Sequence, residues 1–173
     1  DSQLRTPANC DGVITVGAID RSGYLPPFSN RGANVDVMAQ GVYMPVPTED
    51  SHSTALASGT SFASPLLAGI LAAVKRDTGA DDDVLKLAVR ITANPTQDPE
   101  CNTSDVCGAG IVDAKEIHQF ATDAVNGRLH TIEHALGNKT RCEQAWLLDY
   151  FGDKARLCSL YNLVFMRGYI EEG

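Results

Sequence analysis

The stretch Gly59–Gly69 reads Gly-Thr-Ser-Phe-Ala-Ser-Pro-Leu-Leu-Ala-Gly and opens a long apolar run. No charged residue occurs from Phe62 to Val74, and charges return only at Lys75 and Arg76. A helix on a protein surface shows polar residues at every third or fourth position, so this run predicts a helix that is buried on nearly all sides. The two cations suit its C-terminal end, where they complement the helix dipole.

Pro65 indicates where this helix begins. A proline is tolerated in the opening turn, where its missing N–H would have no partner, so we place the start close to Ser61. Backbone N–H groups in a first turn lack intrahelical partners and can stabilise a developing negative charge. A serine there is a candidate nucleophile if a histidine can reach it. An ordinary N-cap is the more common role of such a serine, and the spacing alone leaves both interpretations open.

The motif around Ser61 resembles the active-site serine motif of the subtilisin-like serine proteases. That family pattern is Gly-Thr-Ser-x-Ala-x-Pro, usually followed by His-Val-Ala-Gly. In this chain Leu66-Leu67 stand where the His-Val pair occurs, and Ala68-Gly69 follow as in the family. The absent histidine is not the catalytic one, which lies far upstream in the family.

Further matches occur in the family order. Residues 7–18 resemble the strand that follows the oxyanion-hole loop, and residues 28–32 and 35–41 resemble the next conserved segments. Gln40 departs from the usual Ala-Pro-Gly ending. Residues 107–114 are similar to the Gly-x-Gly-x-Val-Asp-Ala that closes the domain in secreted bacterial members.

The expected fold class is α/β, since apolar strand patterns alternate with helical ones. The resemblance narrows this to the subtilisin-like three-layer fold with a mainly parallel sheet. Residues 1–125 would supply the C-terminal portion of that peptidase domain. Residues 126–173 would form a small, mostly helical tail that resembles no family known to us.

The resemblance also implies an activity, the hydrolysis of peptide bonds by a secreted serine endopeptidase. Ser61 would be the nucleophile, and its N–H would form half of the oxyanion hole. Thr60 and Gly59 would shape the turn before it and border the substrate or the oxyanion. Phe28 would lie on the leaving-group side of the substrate cleft, although an aromatic plug under a loop is an equally good interpretation.

The remaining catalytic groups of the family, an aspartate, a histidine and the oxyanion asparagine, are expected upstream of Asp1. This chain alone is therefore expected to be inactive and to need the N-terminal part of its own catalytic domain as a partner. Its substrate would be a protein or peptide. Catalysis of this class needs no cofactor; the family often binds structural calcium, but no metal ligand can be assigned in this sequence.

A second hypothesis belongs to a different class of protein. The chain could be a non-catalytic or toxin-type subtilisin-like subunit whose tail, residues 126–173, docks a partner protein. Apolar residues near the end of the tail would suit such a contact, namely Leu160, Leu163, Val164, Phe165, Tyr169 and Ile170. The simpler alternative is that the tail packs back on the catalytic domain.

Composition excludes other classes. The net charge of −8 argues against a nucleic-acid surface, which needs an excess of Lys and Arg. No apolar run is long enough to span a membrane. Of five cysteines, Cys101 and Cys107 could staple a loop and Cys142 could pair with Cys158. Cys10 is then left over, and in an exported protein its partner would lie outside this sequence.

Local patterns predict the other elements. Val13–Ile19 and Val35–Ala39 read as buried strands, and residues 42–58 as a loop or hairpin leading to Ser61. Asp81-Asp82-Asp83 opens a helix that runs to Thr92, and Asp113 caps the last helix before a boundary at Asn126-Gly127. Those patterns need no function to explain them.

Two histidine patterns invite chemical interpretations. His130-Thr131-Ile132-Glu133-His134 matches the inverted zincin pattern H-x-x-E-H, but an exposed helix face with two ordinary histidines is the stronger interpretation. His52 lies in an acidic, polar loop and is interpreted as a solvated surface residue rather than the base for Ser61.

Overall fold

The computed structural model describes residues 6–10, 12–48, 53–102 and 104–126. The described part contains four strands, followed by four α-helices. In chain order they are β1 Val16–Ile19, β2 Val37–Gln40, β3 Met44–Pro47, β4 Thr54–Ala57, α1 Thr60–Thr78, α2 Asp82–Ile91, a 3₁₀ helix Pro99–Cys101, α3 Ser104–Cys107 and α4 Ala114–Val125.

Strands β1 and β2 pair in parallel, with Ala18 opposite Ala39. Residues 109–112 continue the sheet on the far side of β2, where the Met38 N–H donates to the Gly110 carbonyl at 2.7 Å. This central sheet is parallel, as predicted. Strand β1 is shorter than the predicted Val13–Ile19, because the Thr15 N–H donates to the side chain of Asp36 rather than extending a ladder.

The pleat of β2 separates two cores. Val37 faces the helices and packs in a cluster with residues of α1, α2 and α4, while Ala39 meets Ala63 at the start of α1. Met38 points to the opposite face and packs beside Cys107. The helices therefore cover one face of the sheet, and the loop that contains the cysteines covers the other.

The predicted caps of α2 and α4 are confirmed. The Asp81 side chain accepts a hydrogen bond from the Val84 N–H at 2.8 Å, and Asp113 accepts from the Lys115 and Glu116 N–H groups at 2.9 and 3.2 Å. Each carboxylate pairs N–H groups that the first turn leaves without partners.

The predicted burial of α1 is wrong for the described structure. Only Ala63, Leu67 and Val74 are buried along this helix. It contacts β1, β2 and α4, so one side is covered. The other side is exposed at Ser64, Pro65, Ala68, Gly69 and Ala72. An apolar run predicts a helix surface that is shielded from water, but it does not show which residues cover that surface.

Pro65 also lies deeper in the helix than predicted. Since α1 begins at Thr60, Pro65 falls in the second turn rather than the opening one. Its missing N–H removes the i→i−4 bond to the Ser61 carbonyl.

The predicted hairpin before Ser61 is confirmed. Strands β3 and β4 pair antiparallel, with Met44 opposite Ala57 and Pro47 opposite Thr54. The Tyr43 N–H donates to the Ser58 hydroxyl at 2.9 Å and joins the two ends of the hairpin.

Several predictions lie outside the described residues: His52, the domain boundary at Asn126-Gly127 beyond residue 126, the helical tail, the Cys142–Cys158 pair and the motif His130–His134. None of the helices in the described ranges is long and apolar enough to cross a membrane.

A buried ion pair joins the sheet to the helices, and the sequence interpretation missed it. Arg90 Nη2 on α2 lies 2.7 Å from Asp36 Oδ1, and only 10% and 1% of the two side chains are exposed. The second carboxylate oxygen of Asp36 accepts the Thr15 N–H at 2.6 Å. The signal was present, because Asp36 and Arg90 each interrupt an apolar run and a buried charge needs a partner.

Replacing Asp36 by alanine is expected to lower the free energy of unfolding of the full-length protein by about 3–5 kcal/mol, because Arg90 would keep a buried charge without its counterion. Chemical denaturation followed by circular dichroism measures the effect. Asp82→Asn, which breaks an exposed ion pair with Lys75, is the control and should leave the denaturation midpoint nearly unchanged. Equal effects of the two variants would contradict the prediction.

Candidate active site

Ser61 is the second residue of α1, and its side chain is exposed. The N-cap of the helix is Gly59, which has extended backbone and makes no side-chain capping bond. The interpretation of Ser61 as an N-cap is therefore wrong. Its hydroxyl stands on the first turn with no hydrogen bond to another described residue.

Gly59 keeps the space beside this hydroxyl open. A Cβ atom at Gly59 would lie 2.9 Å from Ser61 Oγ, so any larger residue would crowd the serine side chain. The Gly59 N–H donates to the Gly41 carbonyl at 2.8 Å, and the Gly59 carbonyl accepts from the Phe62 N–H at 3.1 Å. These two bonds hold the turn that leads into the helix.

Gly41 connects this turn to the sheet. Its N–H donates to the Ile19 carbonyl at 3.0 Å, at the end of β1. A Cβ atom on Gly41 would lie 2.7 Å from the Gly59 carbonyl oxygen and 2.8 Å from Ala18 Cβ. Only glycine lets the two chain segments approach this closely.

The first turn of α1 is packed on small residues. Ala63 is fully buried against Ala18 of β1 and Ala39 of β2. Thr60 is half-buried beside the exposed Ser61. The helix start is thereby placed at the carboxyl ends of the two parallel strands, with the serine turned outward.

Phe28 lies in a different loop that meets the same strand. Its side chain is 47% exposed, so it does not plug the space beneath a loop. The next residue, Ser29, is buried, and its hydroxyl accepts the Ala18 N–H at 2.9 Å. The loop that contains Phe28 and the first turn of α1 therefore both contact Ala18, the loop through a hydrogen bond and the helix through packing.

The described residues supply no base for Ser61. Of the histidines only His118 falls within them, and it lies on α4, where a ring nitrogen is 3.4 Å from the Thr122 hydroxyl. His118 lies close to Asp77. The pKa of Asp77 is lowered mainly because its carboxylate accepts a hydrogen bond from Arg76, and His118 adds a smaller effect in the same direction. Asp77 lies about 24 Å along the helix from Ser61, at 1.5 Å per residue.

Metal ligands were not predicted from the sequence. Within the described ranges, no three His, Cys, Asp or Glu side chains lie together as a metal site would need.

Comparison with known proteins gives consistent results. A protein-family sequence model described as "Subtilase family" matches residues 1–110. A thermophilic serine proteinase from Bacillus sp. (strain AK1) is 43% identical over 88 residues, which cover 51% of this chain and 21% of the relative. An extracellular protease from Xanthomonas campestris pv. campestris is 35% identical over 129 residues, which cover 70% of this chain and 21% of the relative. The chain thus spans about a fifth of the length of these relatives.

Solved structures show the same similarity. The structure of proteases from Pseudoalteromonas arctica PAMC 21717 matches with a TM-score of 0.55 at 28% sequence identity. The match covers 67% of this chain and 38% of that one.

Gly41→Ala is expected to lower the free energy of unfolding of the full-length protein by about 1–3 kcal/mol, because the added Cβ overlaps the Gly59 carbonyl and Ala18. Adding Ala18→Gly removes one of the two contacts. The two substitutions together should therefore cost less than the sum of their separate costs, by more than about 0.5 kcal/mol. Denaturation of the three variants measures this difference, and simple additivity would contradict the proposed contact.

Proposed function

This chain belongs to the subtilase family, and from that membership we propose that it is part of a secreted serine endopeptidase with Ser61 as its nucleophile. The predicted subtilisin-like fold class is confirmed by the same comparisons. One observation carries the proposal for Ser61. Its hydroxyl is exposed on the first turn of α1, beside a glycine whose missing side chain leaves the hydroxyl accessible.

The chemistry begins with attack of Ser61 Oγ on the carbonyl carbon of the scissile peptide bond. The hydroxyl proton passes to a histidine base, which an aspartate orients. Both residues would come from parts of the protein outside this chain, as the sequence resemblance implies. The histidine then gives the proton to the leaving amine, and an acyl-enzyme ester on Ser61 remains for water to hydrolyse.

Negative charge develops on the substrate oxygen during attack. The Ser61 N–H belongs to the first turn of α1, where N–H groups point out of the helix and carry partial positive charge. It would donate one hydrogen bond to the oxyanion, and an asparagine amide from outside this chain would donate the other. The hydrogen bond from the Gly59 N–H to the Gly41 carbonyl and the packing of Ala63 hold this donor in place.

The substrate would be a protein or peptide lying across this turn. Thr60 and Gly59 would border it next to the nucleophile, and the exposed ring of Phe28 would contact residues on the leaving-group side. The chemistry uses side chains, backbone N–H groups and water, without a cofactor.

Export from the cell fits two observations. Cys101 and Cys107 form a disulfide, as predicted, and disulfides persist mainly in oxidising compartments. One relative carries the name extracellular protease.

A fluorophosphonate probe on the native full-length protein tests the nucleophile. We expect labelling of the wild-type protein and its loss in Ser61→Ala, because the probe reacts only with an activated serine. Ser64→Ala is a matched control, since Ser64 is exposed one turn further along the same helix, and it should keep full labelling.

The outcomes separate the two hypotheses made from the sequence. Labelling that survives in Ser61→Ala would mean that another residue is the nucleophile. A folded full-length protein that takes no label at all would favour the non-catalytic subunit.

A further inference from the structure

A disulfide-closed loop covers the face of the sheet that lies opposite α1. Residues 97–102 and 104–107, here named the clasp, contain the 3₁₀ helix and α3 and are closed by the Cys101–Cys107 bond, with a Cα–Cα distance of 5.3 Å. Cys107 is buried and packs against Ile19 and Met38 on the sheet. The clasp is therefore anchored to the core at one end of the disulfide.

The clasp holds residues 23–32, here named the Phe28 loop, by backbone hydrogen bonds at both ends. The Gln97 N–H donates to the Gly23 carbonyl at 3.2 Å near the start of the loop. At its end, the Gly32 N–H donates to the Val106 carbonyl, also at 3.2 Å. The exposed Phe28 lies between these two attachment points.

Side chains add two further links. The Asp98 carboxylate accepts the Leu25 N–H at 2.8 Å, and Arg31 forms an ion pair with Glu100. The pKa of Asp98 is lowered, first by the Leu25 N–H and then by the Glu100 N–H, so the accepting form of the carboxylate is favoured near neutral pH. Leu25 itself packs against the buried cluster that contains Cys107.

The loop is also attached at the end of β1. The Tyr24 N–H donates to the Asp20 carboxylate at 3.0 Å just after that strand, and the Ser29 hydroxyl accepts the Ala18 N–H at 2.9 Å. Phe28 is 47% exposed, so packing covers its ring only in part and the backbone of the loop helps to determine where the ring lies. Loosening the clasp would move Phe28 while leaving α1, on the other face of the sheet, in place.

We propose that the Cys101–Cys107 clasp is a positioning element for Phe28 and sets the selectivity of the enzyme for substrate residues on the leaving-group side. This proposal rests on the proposed function, because it needs cleavage at Ser61. The clasp touches no reacting atom. It acts by holding the loop at Leu25 and Arg31, so that the aromatic ring meets the substrate at a fixed place.

The test compares two kinds of substrate on the full-length protein. Quenched peptides differ only in the residues after the scissile bond, whereas a p-nitroanilide with the same preceding residues has none there. In Cys101→Ala/Cys107→Ala we expect kcat/KM for peptides with a large apolar residue after the scissile bond to fall about tenfold. Hydrolysis of the p-nitroanilide should stay within about twofold, because the Ser61 turn is unchanged.

Asp98→Ala is the second variant, because it removes the acceptor for Leu25 and leaves the disulfide intact. It should shift selectivity in the same direction. Asp82→Asn breaks the ion pair with Lys75 on the helical side and serves as the matched control, with both substrates unaffected. Circular dichroism checks that every variant is folded at the assay temperature.

Three outcomes overturn the proposal. Equal losses on both substrates would mean that the clasp only supports folding, and unchanged selectivity in both variants would mean that it does not position Phe28. A wild-type protein that hydrolyses neither substrate would remove the proposed function and this inference together. Wild-type hydrolysis that is lost in Ser61→Ala keeps the proposed function, whatever the clasp variants do.

Discussion

The buried carboxylate of Asp36 is the constraint on which the described structure depends. A charge removed from water must be paired and hydrogen-bonded, and its partners come from distant parts of the chain. Arg90 brings α2 to the sheet, and the Thr15 N–H brings the segment before β1. The backbone of Asp36 adds to this, because its carbonyl accepts the Ala109 N–H at 2.8 Å. One residue thus sets the relative positions of both parallel strands and the helical layer.

Close packing on the two paired strands then determines where Ser61 lies. Ala18 and Ala39 lie side by side on the two strands, and Ala63 packs on both. The small side chains let the start of α1 lie close to the sheet. Gly41 fits in the space that remains because it has no side chain. The position of Ser61 therefore depends on the absence of larger side chains in this layer as well as on the contacts within it. Larger residues in this layer would push the helix outward and move the hydroxyl with it.

The sequence predicted what depends on neighbours along the chain. The caps at Asp81 and Asp113 follow from short-range hydrogen bonds, and the Cys101–Cys107 pair from close spacing. The apolar run and Pro65 placed a helix start close to Ser61, and the structure agrees. The covered side of α1 and the Asp36–Arg90 pair were not predicted, because residues far apart in sequence determine them. The sequence likewise contained nothing to indicate that Asp98 holds the Phe28 loop.

The two halves of the candidate site meet at a single residue of β1 by different forces. Ala18 supports the Ser61 turn through side-chain packing with Ala63 on the helical face. It supports the Phe28 loop through its backbone N–H, which donates to Ser29. The packing contact lies on the helical face of the sheet, whereas the hydrogen bond to Ser29 is weak by itself and depends on the further anchors of the loop. The geometry therefore separates the reacting serine from the loop beside it, so that one can be tuned without disturbing the other.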